Sequence, residues 1–199
     1  MDVPTKRAAS EVTKRQGALR PRDVAERLSR PTLARLVEAG KVERVGRGLY
    51  VPVGVAATEP HTLVEAATRV PHGVVCLLSA LRFHGLTTQA PHEVWLAIDV
   101  KARKPKLDWP PVHIVRFSGV ALAFGVEEHR IEGVVVRVTV KEKTVADCFK
   151  YRNKIGLDVA LEALREYLAA KRRSVDSLMK AAEASRVTNV MRPYLEALV

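Results

Sequence analysis

The feature that most constrains this chain is a basic turn flanked by glycines, Gly46-Arg47-Gly48. It lies between two short segments with strand-forming composition, Val42–Val45 and Leu49–Val53. Two such segments joined by a glycine-containing turn are typical of a β-hairpin. The sequence therefore predicts a hairpin that carries an arginine at its tip.

Three short helical patterns precede this hairpin. The first covers Lys6–Gln16, the second begins near Pro21, and the third follows a candidate N-cap at Ser29 and runs to Ala39. The third helix is predicted to turn three apolar residues inward: Leu33, Leu36 and Val37. Three short helices followed by a hairpin are the order of elements in a winged helix-turn-helix.

The rest of the chain alternates between helical and strand patterns, so the predicted fold class is α+β. Residues 1–53 are predicted as the winged helix-turn-helix domain, 54–60 as a linker rich in small residues, and 61–199 as a mixed domain. In the mixed domain, helices are predicted over 61–70, 75–83, 157–170, 175–184 and about 187–198. Strands are predicted over 94–98 and 112–117, with a hairpin over 125–140 that turns near Glu132-Gly133.

Charge favours a polyanionic partner. The 199 residues carry a formal net charge of +11. Residues 1–53 contain twelve Lys or Arg and six Asp or Glu, so the basic density is highest in the first quarter of the chain. This places the expected nucleic-acid footprint on the predicted winged helix.

The candidate DNA contacts follow from that geometry, because the third helix enters the major groove and the wing lies against the backbone. Arg35 is suited to a guanine edge, and Arg30 and Thr32 to bases or phosphates. Arg47, with Arg44 behind it, and Arg20 and Arg22 at the start of the second helix, are suited to phosphates.

A second candidate contact surface lies in the helical segment after residue 140. Its predicted members are the cations Lys143, Lys150, Arg152 and Lys154, with Lys141 beside them. They surround Thr144 and Asp147, whose spacing is that of a capping box. A solvated helix face is the alternative interpretation of the same run.

No catalytic or metal site and no cofactor is predicted. The six histidines show no paired ligand spacing, and Cys76 and Cys148 lie in apolar patterns typical of buried thiols. One alternative stays open: Glu93, Asp99 and Lys101 include the acid-x-Lys triplet that some nucleases use to hold a metal. The alternative function is thus a DNA nuclease targeted by the winged helix.

Targeting signals are not apparent in the sequence. Met1–Arg20 has no apolar core of the kind found in signal peptides, and no run of about 18 apolar residues occurs. We therefore expect a cytoplasmic protein without a membrane span.

Four segments, in this order, resemble AbiEi-type antitoxins. They are Gly17–Val53, ending in Glu-Arg-Val-Gly-Arg-Gly-Leu-Tyr, then Leu78–Leu86, Val138–Lys154 and Asn189–Leu195. The resemblance implies a type IV toxin–antitoxin role. In such proteins the N-terminal domain represses the operon at inverted repeats in its promoter.

The resemblance also implies an antitoxin function for the C-terminal domain, with an AbiEii-like nucleotidyltransferase as the toxin. Two half-sites can be filled by a dimer or by two monomers that bind cooperatively. Two further alternatives stay open. One is an antitoxin that acts by protein contact only, and the other is a regulator without a neighbouring toxin gene.

Overall fold

A computed structural model describes residues 30–46, 49–53, 61–107 and 110–198. The predicted helix over Lys6–Gln16, the start of the second helix at Pro21 and the N-cap at Ser29 lie outside these ranges. Within them, the chain forms nine helices and seven strands, which confirms the α+β class. The chain divides into two compact units, each described separately below.

The first unit consists of the described residues up to Arg69 together with Arg130–Val136. Its elements in chain order are helix α1 (Arg30–Glu38), strands β1 (Val42–Gly46) and β2 (Leu49–Pro52), and helix α2 (His61–Arg69). The two strands pair in antiparallel register, which confirms the predicted hairpin.

Helix α1 packs as an amphipathic helix. Leu33 and Leu36 are buried, as predicted. Val37 is 37% exposed, so its predicted inward position is wrong. It lies in the last turn of α1, and the chain reverses just beyond it at Gly40, whose φ of +60° suits glycine.

The second unit consists of Val70–His129 and Arg137–Val199. Five strands follow in the chain: β3 (Val74–Val75), β4 (Val94–Asp99), β5 (Val112–Phe117), β6 (Val126–Ile131) and β7 (Val134–Thr139). They form one sheet with the order β5-β4-β3-β7-β6. The predicted strands at β4 and β5 and the predicted hairpin of β6 and β7 are confirmed.

Strand β3 was not predicted, because residues 75–83 were assigned to a helix that in fact begins at Leu77. Val74 and Val75 pair antiparallel with β4, and Val75 also pairs parallel with Val138 of β7. Two residues are too few to show an alternation of side chains, so only the tertiary pairing reveals this strand.

Seven helices belong to this second part of the chain. They are α3 (Leu77–His84), α4 (Val120–Ala123), α5 (Lys141–Lys150), α6 (Arg152–Ile155), α7 (Leu157–Ala169), α8 (Val175–Ala184) and α9 (Thr188–Leu198). The last three were predicted within one residue at either end. The short helix α4 was not predicted, whereas α6 lies in the segment after residue 140 that was predicted to be helical.

Helix α5 forms the centre of the second unit. Seven consecutive residues, 143 to 149, are buried, and the helix packs against α3, α7, α8 and α9. A helix covered on all sides has no solvated face. Its polar side chains therefore need partners inside the protein.

Lys143 and Asp147 supply such a pair. Lys143 is 0% exposed and donates to Asp147 Oδ2, while Ser185 Oγ donates to Asp147 Oδ1 over 2.8 Å. Burial raises the pKa of the Asp147 carboxyl above its ordinary value, and the Lys143 ammonium opposes that shift. Lys143 is thus a core residue, and its predicted place on a second contact surface is wrong.

The predicted capping box at Thr144 and Asp147 is also wrong. Helix α5 begins three residues earlier, at Lys141, and Val140 precedes it. The Thr144 hydroxyl donates to the Val140 carbonyl over 2.8 Å and lies 2.7 Å from the Thr139 hydroxyl. The threonine therefore joins the end of β7 to the first turn of the helix, and Asp147 serves the buried pair.

Cys76 and Cys148 are free and buried, which confirms the prediction of buried thiols. Burial raises the pKa of both thiols, so the reactive thiolate is disfavoured. None of the helices in the described part of the chain is long and apolar enough to cross a membrane.

His84 is the last residue of α3, one residue beyond the predicted end of this helix, and Gly85 follows it with a φ of +67°. The His84 Nε2 atom lies 2.6 Å from the Thr139 carbonyl oxygen, so a neutral ring with its proton on Nε2 can donate there. Burial lowers the pKa of His84 below its ordinary 6.5, and the Thr139 carbonyl opposes this. The ring is held mainly in its neutral form.

Breaking the buried pair should destabilise the second unit. Lys143→Met leaves the Asp147 carboxylate without its cation, which should lower the free energy of unfolding by about 3–5 kcal/mol. The double variant Lys143→Met/Asp147→Leu should recover most of that loss. Urea unfolding monitored by circular dichroism measures both changes.

Lys150→Met is the matched control, because Lys150 is exposed on the same helix. It should change the free energy of unfolding by no more than about 0.5 kcal/mol. An equal cost for Lys143→Met and Lys150→Met would contradict the buried pair.

Acid should destabilise the protein through His84. A base whose pKa is lowered by folding binds more protons in the unfolded state. The contribution of His84 to stability is therefore complete above pH 6.5 and is lost as the pH falls below that value. In His84→Gln, the melting temperature should fall less than in wild type as the pH is lowered from 7.5 to the lowered pKa of His84. His72→Gln, at an exposed histidine, should leave that slope as in wild type; identical slopes in all three proteins would refute the assignment.

Candidate nucleic-acid interface

The exposed side of α1 is a row of four residues at helical spacing: Pro31, Ala34, Arg35 and Glu38. Leu33 and Leu36 lie on the opposite side and are buried. Arg35 therefore stands on the exposed row, one turn from Pro31 and beside the small side chain of Ala34. The row therefore includes one long cationic side chain, that of Arg35.

Two further predicted contacts lie at the start of this helix. Arg30 is the first residue of α1, and Thr32 is half-buried in its first turn. The first backbone N–H groups of a helix have no partner within it and carry partial positive charge. This end of α1 is thus suited to a phosphate or to the acceptor edge of a base.

The hairpin places Arg44 on its exposed surface. Arg44 pairs with Tyr50 across the two strands, so their side chains share one face of the ribbon. Val42 on the same strand is buried. The register shifts between Arg44 and Gly46, and such irregularities increase the local twist of a hairpin.

Backbone hydrogen bonds join the helix to the hairpin. The Lys41 N–H donates to the Leu36 carbonyl over 2.9 Å, and the Val53 N–H donates to the Lys41 carbonyl over 3.0 Å. The first bond closes the end of α1, and the second closes the open end of the ribbon. Helix α1 also packs directly against β1.

Three predicted contacts lie outside the described residues: Arg20, Arg22 and Arg47. Gly46 pairs with Leu49, so Arg47 and Gly48 alone connect the two strands in the sequence. The predicted role of Arg47 at the tip stays a prediction, as do those of Arg20 and Arg22.

The second predicted contact surface is smaller than predicted, because Lys143 lies in the core and not on the surface. Lys150 and Lys154 are exposed, and the Lys154 ammonium lies 5.6 Å from the centre of the Tyr151 ring. The Arg152 guanidinium is half-buried and donates to the Phe149 carbonyl over 2.9 Å. Two lysines near the end of α5 thus remain as exposed cations of this surface.

The acidic residues of the nuclease alternative do not come together. Glu93 precedes β4 and Asp99 ends it, which separates their Cα atoms by about 20 Å along an extended strand. Glu93 lies 3.3 Å from His113, and Asp99 Oδ1 accepts from the Lys101 N–H over 2.8 Å. In the described ranges, no group of three or more His, Cys, Asp or Glu is arranged to hold a metal ion.

Sequence reasoning did not single out Arg116 or Arg186, and the fold brings both to one pocket with Lys150. The three cations come from β5, from the end of α5 and from the residues after α8. Because they are 34 and 36 positions apart, no local motif marks them.

Residues 7–53 match the model of a family described as "Transcriptional regulator, AbiEi antitoxin". The match covers helix α1 and the β1–β2 hairpin, and it confirms the resemblance over this segment. It supports a regulator or antitoxin role for the chain. No curated protein matches the chain.

Proposed function

We propose that this chain is a DNA-binding repressor and the antitoxin of a type IV toxin–antitoxin system, and that it represses its own operon. The observation that carries the proposal is the match of residues 7–53 to a family of transcriptional regulators and antitoxins. That match covers the helix and hairpin whose exposed residues include Arg35 and Arg44.

In this proposal residues 1–53 form a winged helix-turn-helix, and α1 is its recognition helix. The exposed row of α1 enters the major groove, where the Arg35 guanidinium can donate two parallel hydrogen bonds to guanine O6 and N7. Arg30 and Thr32 contact bases or phosphates at the start of the helix. A guanidinium suits this task because its donors form a fixed planar fork.

The hairpin acts as the wing. Arg47 at its tip and the exposed Arg44 neutralise phosphates, as Arg20 and Arg22 do from the second helix. The net charge of +6 over residues 1–53 gives this domain a sequence-independent attraction to duplex DNA.

Residues 61–199 form the antitoxin domain, joined through a linker at 54–60. Its partner is a toxin similar to AbiEii nucleotidyltransferases, and the exposed cations Lys150 and Lys154 are candidates for that contact. The DNA target consists of promoter inverted repeats, which present two half-sites to a dimer or to two monomers. The protein acts in the cytoplasm.

Two substitutions separate base reading from backbone contact. Arg35→Ala should weaken binding to the native upstream region by about 1–3 kcal/mol and relax the preference for it over unrelated duplex. Arg47→Ala should weaken binding to all duplexes alike and reduce the slope of log K against log salt by about one. Gel shifts over a salt series measure both effects.

Arg165→Ala is the control, because Arg165 is an exposed arginine of α7 in the second unit. It should leave both affinity and salt slope as in wild type. Unchanged binding in Arg35→Ala and Arg47→Ala would overturn the assigned face. If, in addition, the neighbouring gene product co-purified after nuclease treatment, the antitoxin would act by protein contact alone.

A further inference from the structure

The second unit contains a pocket of about 320 Å³ that the proposed DNA-binding face does not use, and its lining includes Lys150, which is also a candidate for the toxin contact. Three segments line it: the end of β5 with the loop into α4, the end of α5, and the residues that follow α8. It lies among described residues of this unit alone, so it is independent of the recognition helix and the wing.

The pocket carries an excess of positive charge. Arg116, Lys150 and Arg186 line it, and Asp147 is the one acidic residue among its lining residues. The Asp147 carboxylate is already neutralised from within the core by Lys143 and accepts from Ser185. The lining thus includes three cationic residues and no acid besides this paired carboxylate.

Arg116 is held in place by the backbone of a neighbouring loop. Its Nη1 donates to the Asp99 carbonyl oxygen over 2.8 Å and also to the carbonyl oxygen of Ala102. These acceptors lie outside the lining of the pocket, so a ligand in the pocket would be met by Nε and Nη2 of Arg116.

Arg186 occupies a backbone conformation that favours glycine. Its φ is +57°, and it follows the end of α8, where the Arg186 N–H donates to Glu183 and the Val187 N–H donates to Ala182. Glycine is the usual residue at this position because an L side chain is strained there. The backbone at Arg186 is therefore strained relative to a glycine at the same position.

We propose that this pocket binds a phosphate group, either as free phosphate or as the monoester of a small molecule. A phosphate dianion matches a concavity whose lining includes three cationic residues, and an arginine guanidinium can donate two parallel hydrogen bonds to it. The Ser118 hydroxyl, also in the lining, is a further donor.

The size and shape of the cavity favour a small ligand. A volume of about 320 Å³ is at the lower end of the range for small-molecule sites. Its cationic residues line one concavity, whereas those that follow the phosphates of a duplex lie along an extended surface. The Tyr151 side chain offers an apolar wall for the part of a monoester beyond its phosphate.

Titration calorimetry on the full chain tests this, with inorganic phosphate, AMP and adenosine as ligands at fixed ionic strength. Wild type should bind inorganic phosphate and AMP but not adenosine. If AMP binds more tightly than phosphate, the ligand is a monoester. If the two affinities are equal, the ligand is free phosphate. Arg116→Ala should weaken binding at least about tenfold, since a charge-assisted hydrogen bond is lost.

Arg186→Gly is the decisive variant, because it removes the cation and the backbone strain together. Phosphate affinity should fall at least about tenfold, while the melting temperature stays equal to or rises above that of wild type. Arg186→Lys should retain more of the affinity than Arg186→Gly does. Lys180→Ala, at an exposed cation of α8 outside this pocket, should bind as wild type does.

Three results would overturn the proposal. They are no heat of binding for wild type up to about 10 mM phosphate or AMP, equal affinity in wild type and Arg186→Gly, and equal loss of affinity in Lys180→Ala and Arg186→Gly. The last would show a diffuse attraction of anions to a basic protein.

Discussion

The second unit is organised around one buried ion pair, Lys143 with Asp147 on helix α5. Two ionised side chains in a core are tolerated only when each meets the other and the remaining lone pairs are satisfied. Ser185 satisfies one of them and so connects the end of α8 to the centre of α5. Asp147 and Ser185 also line the basic pocket. The hydrogen bond between them therefore fixes two of its three walls in relation to each other.

Local patterns predicted those elements whose residues repeat clearly. Strand β7 shows alternation, with Val134, Val136 and Val138 buried, and positive φ angles at Glu132 and Gly133 agree with the turn that the sequence favoured. The interior of α5 was not predictable in this way. Lysine is rarely buried, so sequence spacing placed Lys143 with its exposed neighbours, and only tertiary packing shows that it faces Asp147.

The candidate interface was predictable to the extent that it is local. Helical spacing alone put Arg35 on the side opposite Leu33 and Leu36, because all three lie within three turns of one helix. The pocket is the opposite case. Arg116, Lys150 and Arg186 converge through the fold, and the one local signal, an arginine in a glycine-type conformation, is a backbone angle that the sequence does not contain.

The net charge of the chain therefore has two separate uses in these proposals. Residues 1–53 carry +6 and the rest of the chain +5, yet the cations are arranged differently. On α1 and the hairpin, Arg35 and Arg44 stand on exposed surfaces, which suits a long duplex whose phosphates repeat along its length. Around the pocket, cationic residues line one concavity, which suits a single compact anion. The same excess charge thus favours different ligands because geometry, and not the total, determines which anion can approach several cations together.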